Sequence, residues 1–174
     1  LSPTSGKKTT DVTVSLNDIA KTLPVGVHTG LITVTAPEAD DSPQTVQVTL
    51  KIFETNQTDL PFGEFATPKD GAVVEGSIPV TGWVLDDIGV ESVKIYYEGK
   101  DENDLKYIDE AMFVEGARPD VESIFPDYPE TEKAGWGYML LTHFLPNGGN
   151  GTYTLHVIVT DVEGNQTKLG TKTF

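Results

Sequence analysis

Alternation of apolar and polar residues with a period of two is the feature that most constrains this chain. Between positions 45 and 52, Val46, Val48, Leu50 and Ile52 alternate with polar side chains. This period gives an extended strand one buried and one solvated face. Turn sequences rich in glycine, proline and aspartate separate such segments, so the pattern predicts an all-β chain.

The strand pattern divides the chain into two regions. Residues 1–54 contain about three predicted strands, one of them over residues 12–16, and so few strands bury too little surface to be stable alone. The polar residues 55–60 are predicted to form a linker. Residues 61–174 contain seven predicted strands, and their turn spacing is typical of an immunoglobulin-like β-sandwich.

An insertion at residues 115–135 interrupts the second region. Pro119 is followed by two carboxylates in what would be the first helical turn, and Pro126 would end the helix. We therefore predict one short helix inside a connection that is long for a compact sandwich. The flanking strands are predicted at residues 107–114 and 136–144.

Composition excludes several classes of function. Lys and Arg number 12 against 27 Asp and Glu, so the net charge of −15 does not favour binding to nucleic acid or to an anionic membrane. The absence of cysteine removes thiol catalysis, disulfides and cysteine-ligated metal centres. No apolar run approaches the roughly 18 residues of a membrane helix, so membrane insertion is not expected.

The sequence also lacks a catalytic motif, and we predict that the chain is not an enzyme. It contains neither a Gly-x-Ser-x-Gly elbow nor a glycine-rich phosphate loop. An enzyme would need a cleft with a perturbed titratable pair, drawn from Asp120, Glu122 and His143. His143 and His156 lie on neighbouring predicted strands, but without a third ligand they make a poor zinc site and are expected at the surface or the rim of the sandwich.

Aromatic residues suggest one binding surface. Trp83 has the strand parity opposite to Val80 and Val84, so it should point outward, towards either a ligand or the insertion. Sugar rings stack on aromatic side chains, and the candidate ligand-binding residues are Trp83, Arg118, Tyr128, Trp136 and Tyr138. The alternative is a second small core of Trp83, Phe125, Tyr128 and Trp136 beneath the insertion, with Arg118 paired to Asp120 or Glu122.

Two acidic turns suggest a metal site. Both turns could lie at the same end of the sandwich, where their oxygen atoms would suit calcium. The candidate ligands are Asp86, Asp87, Asp161, Glu163 and Asn165. The alternative is that these side chains only cap their own turns, and no cofactor other than calcium is expected.

Residues 2–6, 26–37 and 42–50 together resemble the second half of a BACON-type bacterial domain. In that family a Gly-x-Tyr-x-Gly segment begins the penultimate strand, whereas this chain has His28 in place of the tyrosine. The resemblance implies that the first strands of that domain precede Leu1.

Residues 63–68, 80–90 and 159–165 resemble bacterial immunoglobulin-like domains of extracellular proteins. This resemblance implies a non-catalytic spacer or adhesion module of a larger protein, secreted or attached to the cell surface. The implied partners are other domains of the same polypeptide, and a polysaccharide or a surface protein. The alternative function is a carbohydrate-binding ancillary module of a polysaccharide-degrading enzyme.

Overall fold

A computed structural model of the chain describes residues 1–6, 10–54 and 58–174. The chain forms two compact units, Leu1–Gln57 and Thr58–Phe174. Part of the predicted linker, residues 55–57, lies outside the described residues. Among those described, no helix combines the length and the apolar character needed to span a bilayer.

The first unit is built around one antiparallel hairpin, in which β1 (Gly26–Val34) pairs with β2 (Gln44–Ile52). Opposite residues such as Ile32 and Val46 share one apolar face, while threonines dominate the other face. The strand predicted at residues 12–16 is wrong: within the described part of this unit, that segment makes only an isolated bridge from Thr13. Val12, Val14 and Leu16 alternate with polar residues in the sequence, but all three side chains are exposed, so the alternation does not mark a buried face. The resemblance to a BACON domain stays a prediction.

The second unit contains two four-stranded antiparallel sheets. One sheet has the order β3-β4-β8-β7, and its strands are Phe62–Thr67, Ser77–Leu85, Gly135–Leu141 and Met112–Phe113. The other has the order β10-β9-β5-β6, and its strands are Gln166–Thr173, Thr154–Asp161, Val90–Glu98 and Leu105–Glu110. The predicted all-β sandwich with a short helical insertion is confirmed, because α1 spans Pro119–Ile124 within the predicted insertion.

Two strand predictions require correction. Residues 107–114 were expected to form one strand, but the chain passes from β6 in one sheet to β7 in the other at the buried Ala111. The strand predicted to reach residue 144 ends at Leu141, and a 3-10 helix, Thr142–Phe144, follows it. Apolar residues continue through both positions, so the sequence pattern does not show where a strand ends or where the chain passes to the other sheet.

The core lies between the two sheets and consists of inward-facing side chains of the central strands. Fully buried members from both sheets include Val80, Val84, Val93, Ile95, Leu155, Val157 and Val159. Packing of these apolar side chains supplies the main stabilisation, since burying one such side chain contributes roughly 1.5–3 kcal/mol.

Strand register gives the sandwich two distinct ends. Phe62 pairs with Leu85, and Val90 pairs with Asp161, at the end that we call the leading pole. Thr154 pairs with Thr173 at the opposite end, which we call the trailing pole. The chain therefore begins β3 at the leading pole and completes β10 at the trailing pole.

Candidate functional site

The insertion covers the outward face of Trp83. This side chain belongs to a cluster of four rings, which we call the aromatic cluster, formed by Phe62, Trp83, Phe125 and Tyr128. The ring of Phe62 lies 5.8 Å from that of Trp83, 5.5 Å from that of Phe125 and 5.3 Å from that of Tyr128, in edge-on contacts. These distances are typical of favourable aromatic pairs. Its cross-strand partner, Gly135, leaves room for the insertion, because a Cβ atom at that position would lie 2.8 Å from the Cβ of Ala117.

Two charged side chains also lie beside Trp83. Its indole N–H donates to the Glu64 carboxylate at 3.2 Å, and the Arg118 guanidinium lies 5.9 Å from its ring centre. Arg118 also donates two hydrogen bonds to Asp120, at 2.8 and 2.7 Å. This pairing lowers the pKa of Asp120 to about 2. Charge and hydrogen bonding thus hold the guanidinium beside the indole.

The five candidate ligand-binding residues do not form one surface. Trp83, Arg118 and Tyr128 lie at the insertion, whereas Trp136 is only 2% exposed and packs in the sandwich core beside Phe65. Trp136 therefore cannot serve as a platform for a ligand, nor does it join the second small core that was the alternative.

Tyr138 also lies against the core rather than beside Trp83. Burial, followed by the charge of the nearby Asp109, raises the pKa of Tyr138. The register between β4 and β8 places the two aromatic residues of β8 on the opposite face of the sheet from Trp83. Residues 136 and 138 face the core, whereas residue 83 faces outward.

The acidic turns lie at the leading pole, and both contain buried aspartates. Asp86 is 2% exposed, and its Oδ1 accepts the backbone N–H groups of Ile88 and Gly89 at 2.9 and 3.0 Å. Asp161 is fully buried, and its Oδ1 accepts those of Glu163 and Asn165 at 2.8 and 2.9 Å. Both aspartates therefore cap their own turns.

The side chains of Glu163 and Asn165 are occupied by hydrogen bonds. The Asn165 amide donates to Asp161 Oδ2 at 2.7 Å and to the Thr58 hydroxyl at 3.3 Å. The Thr58 hydroxyl in turn donates to Glu163 at 2.9 Å. These contacts attach the segment that precedes β3 to the turn between β9 and β10.

Unpaired negative charge remains at this pole. Burial raises the pKa of Asp86, against the effect of its two backbone hydrogen bonds, and the charges of Asp87 and Asp161 raise it further. Burial and the neighbouring Asp59 similarly raise the pKa of Asp87. Within residues 1–6, 10–54 and 58–174, no group of three or more His, Asp or Glu side chains is arranged to hold a metal ion by itself.

Sequence reasoning missed three residues of these two places. Phe62 joins the aromatic cluster, Glu64 binds the indole N–H of Trp83, and Asp59 lies near Asp87. Phe62 and Glu64 lie on β3 and Asp59 shortly before it, and only the pairing of β3 with β4 shows that this segment lies beside Trp83 and the turn after β4.

The residues proposed for an enzymatic site do not come together. Asp120 is bound to Arg118 near Trp83, whereas His143 is exposed and follows β8 at the trailing pole. The prediction that His156 lies at the surface is wrong, since it is 1% exposed and contacts Glu98 at 3.1 Å. His156 lies on the central strand β9, between Tyr96 of β5 and Thr171 of β10.

Comparison with known proteins gives one family. Residues 61–157 match the family model described as a bacterial Ig domain. A search of curated proteins found no significant match. The matched segment includes β3 to β8 and part of β9, together with the insertion.

Proposed function

This chain belongs to the bacterial Ig domain family, and from that premise we propose that its second unit is a non-catalytic spacer in a larger secreted or surface-attached protein. It would hold an adhesive or catalytic domain of the same polypeptide away from the cell. The observation that supports this function is that the first strand of the second unit begins at one pole of the sandwich and its last strand ends at the other. Modules with this geometry extend a polypeptide when they are joined in series.

Strand direction favours a load-bearing role. The first strand, β3, and the last, β10, both run from the leading to the trailing pole and lie next to each other. The eight residues of β10 span about 26 Å. Tension on the two ends would pull these strands lengthwise past each other, so many contacts would have to break at once.

Single-molecule pulling tests this role, and the absence of cysteine in the chain makes introduced thiols unique attachment points. One variant would combine Leu60→Cys with a cysteine appended after Phe174, so that force acts between the poles. The other would combine Leu60→Cys with Val162→Cys, two exposed positions at the leading pole. We expect a higher unfolding force between the poles at the same loading rate. An equal or lower force between the poles would argue against a load-bearing spacer.

Binding to carbohydrate is the second candidate function. It is favoured by Trp83, which is only partly buried and lies between the charged groups of Arg118 and Glu64. Such a combination can stack on a sugar ring and bind its hydroxyls. The packing of Phe62 and Phe125 against the same indole limits the surface available, and for this reason we prefer the spacer function.

A glycan array separates the two functions. If the spacer function is correct, the full chain should bind no glycan on the array above background. The variants Trp83→Ala and Tyr107→Ala should give the same result. Tyr107 is a matched control because it is an exposed aromatic residue on the other sheet, 55% exposed, and contacts only partly exposed rings such as Tyr96. A glycan bound by the unmodified chain and by Tyr107→Ala, but not by Trp83→Ala, would replace the spacer with a carbohydrate-binding module.

A further inference from the structure

Among the residues that the structure describes, the leading pole contains two buried carboxylate oxygens without a hydrogen-bond partner. Asp86 uses Oδ1 for two backbone N–H groups, while its Oδ2 is buried and accepts no hydrogen bond. Oδ1 of Asp87 is also buried without a hydrogen-bond partner. An unpartnered polar atom in a buried position is costly, and the cost is larger when the group is charged. A proton or a bound cation would remove it.

Other carboxylates surround these two atoms. The charges of Asp87 and Asp161 both act on Asp86, and those of Asp59 and Asp161 act on Asp87. The four carboxyl groups, those of Asp59, Asp86, Asp87 and Asp161, come from three separate segments: residues 58–61, the turn after β4 and the end of β9. Asp59 acts on the pKa of Asp87 through its charge and its backbone N–H, so the first of these segments lies beside the turn after β4.

We propose that the leading pole binds a divalent cation, calcium, through Asp86 Oδ2 and Asp87 Oδ1. Calcium approaches carboxylate oxygens to about 2.3–2.6 Å and accepts roughly six to eight oxygen ligands, including backbone carbonyls and water. No group of three or more His, Asp or Glu side chains in the described part of the chain is arranged to hold a metal ion, so backbone carbonyls and water would have to supply the remaining ligands. Asp161 contributes charge rather than a ligand, because both of its oxygens already accept hydrogen bonds.

Binding of calcium to the turn after β4 would relieve the charge repulsion at the pole. The cation would offset the repulsion that Asp87 and Asp161 exert on Asp86, and that Asp59 and Asp161 exert on Asp87. Residues 58–61, which the hydrogen bonds of Thr58 already attach to the sandwich, would then no longer be repelled by the turn. This inference does not depend on the spacer function, since a cation could bind whether or not the unit bears load.

Thermal melting of the full chain tests the proposal. We expect the second unit to melt about 5 °C higher in roughly 5 mM calcium than in chelator, with a smaller shift in magnesium. Asp87→Asn should abolish this shift, and in chelator it should melt above the unmodified chain, because it removes one of the mutually repelling charges. Asp87 is chosen because it is partly exposed, so the variant should fold.

Glu102→Gln is the matched control, because it removes the same charge from an exposed turn of the same unit. It should retain the whole calcium shift. Calorimetric titration with calcium chloride should give one site in the unmodified chain and none in Asp87→Asn. The proposal is overturned if calcium raises the melting temperature no more than sodium chloride of equal ionic strength, or if Asp87→Asn retains the shift. Either result would mean that protons alone neutralise Asp86 and Asp87.

Discussion

Gly82→Ala is expected to destabilise the second unit by at least about 3 kcal/mol, the upper end of the usual cost of overpacking a core. A Cβ atom at this position would lie 1.9 Å from the backbone oxygen of Glu64 and 2.5 Å from the Trp136 ring. The oxygen belongs to the paired strand β3, so it can move only if the pairing of β3 with β4 is disturbed. Gly82 therefore makes room both for a neighbouring strand and for a large core side chain.

Gly137→Ala provides the matched control for this prediction. Gly137 lies on β8, beside the same strand, but a Cβ atom there would meet only Thr81, at an ordinary contact distance of 3.6 Å. We expect its effect to lie within about 1 kcal/mol of zero. Urea unfolding followed by tryptophan fluorescence measures both variants, and it reports on the second unit alone because Trp83 and Trp136 are the only tryptophans of the chain. Equal destabilisation by the two variants would contradict this account of the packing.

Trp136→Ala is expected to cost about 3–5 kcal/mol, because it removes the largest core side chain and leaves a cavity between the sheets. Trp136 is 2% exposed and packs against Phe65 in the main core. Its indole N–H is buried without a partner in the described part of the structure. Trp136→Phe should therefore cost clearly less than the alanine variant, since phenylalanine retains most of the apolar contact and removes the unpaired donor.

The destabilisation by Trp136→Ala is to be compared with that by Trp83→Ala. Trp83 is partly exposed and is covered by the insertion instead of by the opposite sheet. Its replacement should cost less than that of Trp136, as measured by urea unfolding followed by circular dichroism. If Trp83→Ala proved the more destabilising of the two, the aromatic cluster and not the space between the sheets would be the main core.

Local pattern was sufficient to predict most of the strands and the insertion. The alternation of Ile78, Val80 and Val84 correctly predicted the inward face of β4, and the same parity correctly turned Trp83 outward. Pro119 correctly predicted the beginning of the helix. These predictions succeeded because strand parity and helix termination depend on residues only a few positions apart.

The candidate sites were less predictable because they depend on pairing between distant strands. Trp136 and Tyr138 share a parity, but only their register with β4 shows that they face the core instead of Trp83. Asp59 and Glu64 escaped notice because each acts on a residue more than 15 positions away.

The sequence by itself determined that this chain forms β-structure, where most strands of the sandwich lie and which side chains share a face. Only the tertiary structure decided which tryptophan is buried and which carboxylate oxygens of Asp86 and Asp87 lack a partner. The physical reason is that alternation specifies two faces without saying what covers each, whereas burial and charge depend on the strands and turns that pack against them.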